Sequence, residues 1–387
     1  MGLATMARAR RIAGAVALLC ALSAVAACGG DEDPGRSGPA LPRDPGARPA
    51  TTGGRGTPPA RAAVDRLTLR QQVGQIVVLA FGGTEPPEYV TRALRERRTA
   101  GVILFGGNVE SPRQLRALTG SLQRAAAGGA LVMTDQEGGP IRIVPFAAPS
   151  VGQASQDSEA AAAREARDAA RDLRRLGVNV NLAPVADVPS VPGAALGGRA
   201  FPGDAATIAR RVRSAVGAYR AGRVGATVKH FPGLGAASEN TDDAPVTVNR
   251  FGAGDLEPFK AAIGAGAPLV MASHALYPSL DRDRIASQSP RILRSLLRER
   301  LGFRGVVITD SMEADAVTAR SSVEVAAERA LMAGSDLLLF TGDGSFRPVS
   351  LHLNALTRRS PAARARLREA ASRVLALKRR LGLRAPA

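Results

Sequence analysis

VVITD, residues 306–310, is the stretch from which the fold can be read. A run of β-branched residues follows Gly305, stops at the carboxylate of Asp310, and gives way to a helical pattern near 321–333. A strand that ends on a reactive side chain and hands over to a helix is the repeating unit of a parallel α/β fold. The unit recurs in both directions. Strand-like runs are read at 73–81, 101–105, 130–134, 178–182, 225–229, 269–273, 306–309 and 336–340. Helical stretches separate them, near 87–97, from Ser111 onward (a good N-cap), and near 158–175, 204–222, 255–264, 290–301 and 321–333, with a last helix near 361–381. Eight such units predict a single (β/α)8 barrel of the TIM type. A doubly wound open sheet is the alternative that pattern alone leaves standing. No G-x-G-x-x-G follows the first strand and no P-loop is present, so nothing points to a nucleotide.

In a barrel, every strand points its C-terminal end at one face, and the chemistry collects there. Asp135 follows the third run, Asp187 lies just past the fourth, Lys229 and His230 end the fifth, His274 the sixth and Asp310 the seventh. These residue types suit a polyhydroxylated ligand. Lys229 and His230 can donate to hydroxyls, Asp135 can accept from a pair of them, and Asp310, with no Lys or Arg beside it in sequence, can act as an ionised nucleophile. Retaining glycoside hydrolysis needs such a carboxylate and a separate proton donor.

Composition narrows the classes further. The 387 residues carry 52 Lys+Arg against 34 Asp+Glu, a formal charge of +18. Nearly all of the cations are arginine, spread over every helix-like stretch instead of clustered, which argues against nucleic acid and for solvated helix faces. Two cysteines and three histidines exclude a disulfide framework and a Cys-rich zinc site, and leave little for a His-built metal centre.

The chain opens with Arg8, Arg10 and Arg11, then an apolar and small-residue stretch over 12–27, too short to span a bilayer with comfort. Residues 1–27 are therefore read as an export signal. The ending Val25-Ala26-Ala27-Cys28 resembles a bacterial lipoprotein cleavage box, which implies that Cys28 is lipidated and that the protein sits on the outer face of the cell membrane; secretion is the alternative. Residues 28–60 hold eight Gly and seven Pro from position 29 on, with Leu41 the one large aliphatic, and read as a disordered tether. Residues 61–387 are left for the barrel.

TDQEGGPIR (134–142), GGRAFPGD (197–204), KHFPGLG (229–235), MASHALYPSLD (271–281) and LLRERLGFRGVVITDSM (296–312) together resemble glycoside hydrolase family 3, in particular its bacterial β-N-acetylglucosaminidases acting on peptidoglycan fragments. The resemblance runs from about residue 69 to 340. It implies a barrel, retention of configuration, a cell-wall-derived carbohydrate substrate, and no metal or organic cofactor; a monomer is expected. By the same resemblance Asp310 falls on the nucleophile, and Asp135, Arg199, Lys229 and His230 on sugar-binding positions. His274 is grouped with them as a strand-end residue to which no chemical step is assigned, a core histidine being the other reading.

Two departures stand out. The family's loop after the fifth strand reads roughly KHFPGHG and then Asp-Ser-His, whose His is the acid/base and whose Asp supports it. Here Leu234 holds the first His position, and Asn240, Thr241 and Asp242 stand at Asp, Ser and His. Asp242 is the candidate replacement donor, ahead of Asp243 and Glu239. A sugar-binding envelope lipoprotein without full catalysis and an external acid or nucleophile such as phosphate are the other readings. In the second departure, the family's arginine eight residues after the Asp is Ile143 here, with Arg142 one residue early and carried as a substrate-binding candidate.

Overall fold

The computed structural model describes residues 58–342 and 344–384. The export signal, Cys28 and all of the tether up to 57 lie outside the described residues. Eight strands form a closed, all-parallel barrel: β1 (Val77–Leu79), β2 (Gly101–Leu104), β3 (Leu131–Thr134), β4 (Val180–Asn181), β5 (Gly225–Phe231), β6 (Leu269–Ala272), β7 (Val306–Ser311) and β8 (Leu337–Phe340). Each strand pairs with the next in chain order. The ring closes where β1 meets β8, with Val77 opposite Leu338 and Leu79 opposite Phe340. That pairing excludes the open sheet.

Alternate residues on each strand fill the barrel: Leu131 and Met133 from β3, Leu269 and Met271 from β6, Val306 and Ile308 from β7, Leu337 and Leu339 from β8. The residues between them, such as Val132 and Val307, face outward and pack under the helices. The inward series decides the site. Continuing 306, 308 along β7 brings Asp310 inward at the mouth, and continuing 131, 133 along β3 does the same for Asp135.

Local chemistry explains most element boundaries. Ser111, Ser158 and Asp204 each accept a hydrogen bond from a first-turn N–H of the helix that follows, Pro112–Ala125, Glu159–Arg175 and Ala205–Ala221. The first strand lies inside the run read at 73–81 but starts later than that reading. Residues 69–74 are helical, because Thr68 and Gln71 form a reciprocal capping box; β1 starts only at Val77. The last three residues read as tether are helical. A helix, Pro58–Asp65, begins inside it, with prolines in its first turn and Ala60, Ala63 and Val64 buried. A further helix, Phe346–Arg359, sits between β8 and the last helix, Pro361–Arg380. Residues 291–300 form a π-helix. Among the described residues, no helix is long and apolar enough to cross a membrane.

At the N-terminal end of β8 the buried Asp336 ties the floor together. It pairs with Arg298, with Arg366 at 2.7 Å and with Arg373 at 3.1 Å, and accepts the Val307 N–H at 3.0 Å. Glu369 supplies the second carboxylate, bonding Arg373 at 2.6 Å. Burial raises the Asp336 carboxyl, but the three guanidiniums outweigh it and hold the group down at about 2.

Candidate active site

The segment leaving β3 shows how the motif words build the mouth. Asp135 and Glu137 are two apart in extended chain and so share one face, whereas Gln136 turns away and is buried. Gln136 is locked from both sides. Its side-chain amide bonds the backbone of Val144, Ala147 and Ala148, and its main-chain N–H and C=O both bond the side chain of Asn181 at 2.9 Å. The two glycines that follow are required by the turn. Gly138 has φ +91°, and a Cβ there would lie 2.2 Å from the Val151 carbonyl oxygen.

Glu137 is the hub. Arg199 grips it with two hydrogen bonds, 2.9 Å from Nε and 2.7 Å from Nη2, and Lys229 Nζ lies 2.7 Å from Oε1. Lys229 also donates to Asp135 at 2.5 Å. Burial raises the Glu137 carboxyl, but Lys229 and Arg199 outweigh it and hold it at about 2. Asp135 moves the other way. Burial raises it, and the opposing pull of Lys229 is partly cancelled by the charges of Glu137 and Asp310. For Lys229 the two carboxylates outweigh burial and push its amine upward, so it stays charged.

His230 follows Lys229 directly across a cis peptide, and both side chains are buried at the mouth. Asp187 fixes the imidazole: its Oδ2 lies 2.7 Å from His230 Nδ1, and its Oδ1 accepts the N–H groups of His230 at 3.1 Å and Leu234 at 2.7 Å. That arrangement turns His230 Nε2 to Asp310, 3.8 Å from Oδ2. The close approach of the two loops depends on Gly235, where a Cβ would stand 1.9 Å from the Val188 carbonyl oxygen.

Asp310 accepts the Ser311 N–H at 2.9 Å, and its side chain is 17% exposed, so it is reachable from the mouth without being solvated on all sides. Burial raises its carboxyl, but the fields of His230, His274 and Lys229 outweigh that and leave it below the usual carboxylate range. Asp242 lies on the loop after β5. Backbone bonds from Asp315 and Ala316, just beyond β7, to the carbonyls of Asp242 and Thr241 (3.1 and 3.2 Å) hold it over the mouth. Asp242 is exposed there. Even so, the surrounding protein, and next the negative charge of Asp310, push its carboxyl up to about 6; a 3.2 Å hydrogen bond from Asn240 resists the rise.

The structure thus brings together Asp135, Arg199, Lys229, His230, Asp310 and Asp242. Two sequence candidates fall elsewhere. Arg142 lies in the short ribbon beside β3, and its hydrogen bond goes to the Ala147 carbonyl at 3.1 Å, because the one-residue offset puts it with the Gln136 side of the strand. His274 is fully buried, with Nδ1 2.8 Å from Ser287 Oγ, so it backs Asp310 from inside and does not meet a ligand directly. Burial drives its imidazole below its ordinary value, toward the neutral form. Glu137 is the residue that sequence reading did not place in the site; Asp187 was placed at the mouth as a strand-end residue but given no role. The signal for Glu137 was present in DQE, two apart on one face of an extended chain.

A (β/α)8 barrel whose mouth holds one carboxyl shifted down, a second shifted up, and a charged clamp for hydroxyls has the make-up of a glycosidase. The glycosyl hydrolase family 3 N-terminal domain matches residues 68–377, and the chain belongs to that family. A secreted glycosyl hydrolase of Arthroderma benhamiae is 34% identical over 338 residues, 81% of this chain and 94% of the relative. Two solved structures superpose closely. The β-N-acetylhexosaminidase of Beutenbergia cavernae is 33% identical with a TM-score of 0.76, covering 81% of this chain and 98% of that one. The family 3 β-N-acetylglucosaminidase of a Paenibacillus species is 32% identical with a TM-score of 0.77, covering 82% of this chain and 63% of that longer one.

Proposed function

We propose that this glycosidase is a retaining exo-enzyme removing terminal β-N-acetylglucosamine, or a closely related sugar, from cell-wall-type glycans, with Asp310 as nucleophile and Asp242 as acid/base. One observation carries the reading: two carboxyls at the same mouth are shifted in opposite directions, Asp310 downward and Asp242 up to about 6. Such a split is how a pair of like groups divides nucleophile from acid. The names of the superposing structures and the export signal expected at 1–27 support the sugar and the setting.

In the first step an Asp310 oxygen attacks the anomeric carbon, the bond to the leaving oxygen breaks, and the Asp242 proton passes to that oxygen. In the second, Asp242, now a carboxylate, takes a proton from water as the water attacks the same carbon and releases Asp310. The Arg199–Glu137–Lys229–Asp135 chain holds two cations and two carboxylates at fixed spacing for the ring hydroxyls, and binding gained there can be spent in the transition state. His230, oriented by Asp187, sets its Nε2 next to the nucleophile.

Asp310→Ala should lower turnover of an aryl β-N-acetylglucosaminide by roughly 10³-fold or more while leaving sugar binding measurable. Equal turnover in the two proteins would sink the assignment. Sugar binding by the unmodified protein with no turnover, even of activated substrates, would select the non-catalytic reading.

A further inference from the structure

At the end of the barrel opposite the mouth, a cavity of about 200 Å³ lies between the segments entering β1, β2 and β3 and the C-terminal helix Pro361–Arg380. Lys378 reaches into it from that helix. The side chain is 3% exposed, and its hydrogen bond is to a neutral group, Gln75 Oε1, at 3.0 Å. Every other deeply buried cation discussed above meets a carboxylate: Lys229 has Asp135 and Glu137, and Arg298, Arg366 and Arg373 share Asp336. Arg97 and Arg384 line the same cavity, neither forms an ion pair among the described residues, and no Asp or Glu among those residues lines it.

An ammonium buried without a counter-charge is costly, and the ordinary outcomes are loss of the proton or capture of an anion. Burial alone pushes the Lys378 amine down to about 7, so near neutrality the proton is poised between those outcomes. The space is several times the roughly 30 Å³ share of one water, enough for a tetrahedral oxyanion and its residual hydration. We infer that this cavity is a binding site for a small oxyanion of phosphate or sulfate size, held by Lys378 with Arg97 and Arg384 at its rim. Beside the amine the cavity is lined by Gln75 and Thr99, which do not titrate, and its other charged lining residues are Arg97 and Arg384. Protonation of Lys378 is then what couples the site to pH, and anion affinity rises as pH falls.

Sulfate is the suitable probe, because its own charge is constant over this range. The full chain is titrated with sulfate by calorimetry and thermal denaturation, with ionic strength held constant by sodium chloride. At about pH 6 a saturable one-to-one response with a rise in Tm is expected, weaker by about tenfold or more at about pH 9. Lys378→Met should abolish the saturable response, and Arg384→Ala, at an exposed rim position, should weaken it several-fold while leaving glycosidase turnover unchanged. A sulfate response no larger than that to chloride, or one that survives Lys378→Met, overturns the site. If Lys378→Met does not fold, Arg384→Ala decides, and unchanged sulfate affinity in that variant is the overturning result.

Discussion

At the level of single residues, the division of labour between Asp310 and Asp242 is the point on which chemistry turns. Asp242 must hold its proton to act as an acid, so kcat/KM on substrates with poor leaving groups should fall as pH rises through about 6. Asp242→Asn should lose roughly 10²- to 10⁴-fold on such substrates, far less on activated aryl glycosides, and should flatten that alkaline limb. Similar losses on both substrate types would count against the role. Glu137 calls for a different readout. It touches no reacting atom in the proposed scheme but binds both Lys229 and Arg199. Glu137→Gln keeps the shape and removes the charge that the two cations share, so kcat/KM should fall by about 10- to 100-fold, the cost of leaving charged partners unmatched. Steady-state kinetics with retained circular dichroism would separate this effect from misfolding.

At the level of elements, the mouth depends on where strands stop. β5 extends to Phe231, and β7 extends to Ser311, so Lys229, His230 and Asp310 are carried on rigid backbone, while Asp242 comes from a loop pinned to the segment after β7. The first strand starts later than the run read at 73–81 because apolar residues from 73 onward satisfy both periods; the capping box at Thr68 decides for helix. Gln71 accepts the Thr68 N–H at 3.1 Å and gives its own N–H to Thr68 Oγ1 at 3.3 Å. Thr68→Ala should therefore cost about 1 kcal/mol and lower Tm by roughly 2–4 °C with unchanged turnover. Differential scanning calorimetry checks both ends of that range.

At the level of the whole molecule, the barrel separates function from stability along its axis: acidic chemistry at the C-terminal mouth, an arginine cage at the N-terminal floor. Asp336 fastens β7, β8, the π-helix at 291–300 and the C-terminal helix through three guanidiniums. Removing its charge leaves buried cations unmatched, so Asp336→Asn should cost about 3–5 kcal/mol in urea unfolding. The pH dependence has a definite sign. The folded carboxyl titrates at about 2, below its unfolded value, so its contribution is present above about pH 4 and is lost as pH falls toward 2. The Asn variant should lack that part of the acid-induced loss.

How much of this was legible in sequence follows from what is local. Strand period, helix caps and the placement of Asp135, Lys229, His230 and Asp310 at strand ends are written in neighbouring residues, so eight units and the nucleophile candidate could be anticipated from the chain, whereas closure rests on the pairing of β1 with β8. Arg142 turned to the other side of its strand, His274 took the core position that was one of its two readings, and Glu137 was passed over, for one reason. Which side chain reaches a shared cavity depends on backbone direction across loops 40 to 90 residues apart, and on carboxyl protonation set by those remote charges. Sequence carries the alternation along one strand; only the closed ring fixes which alternations converge.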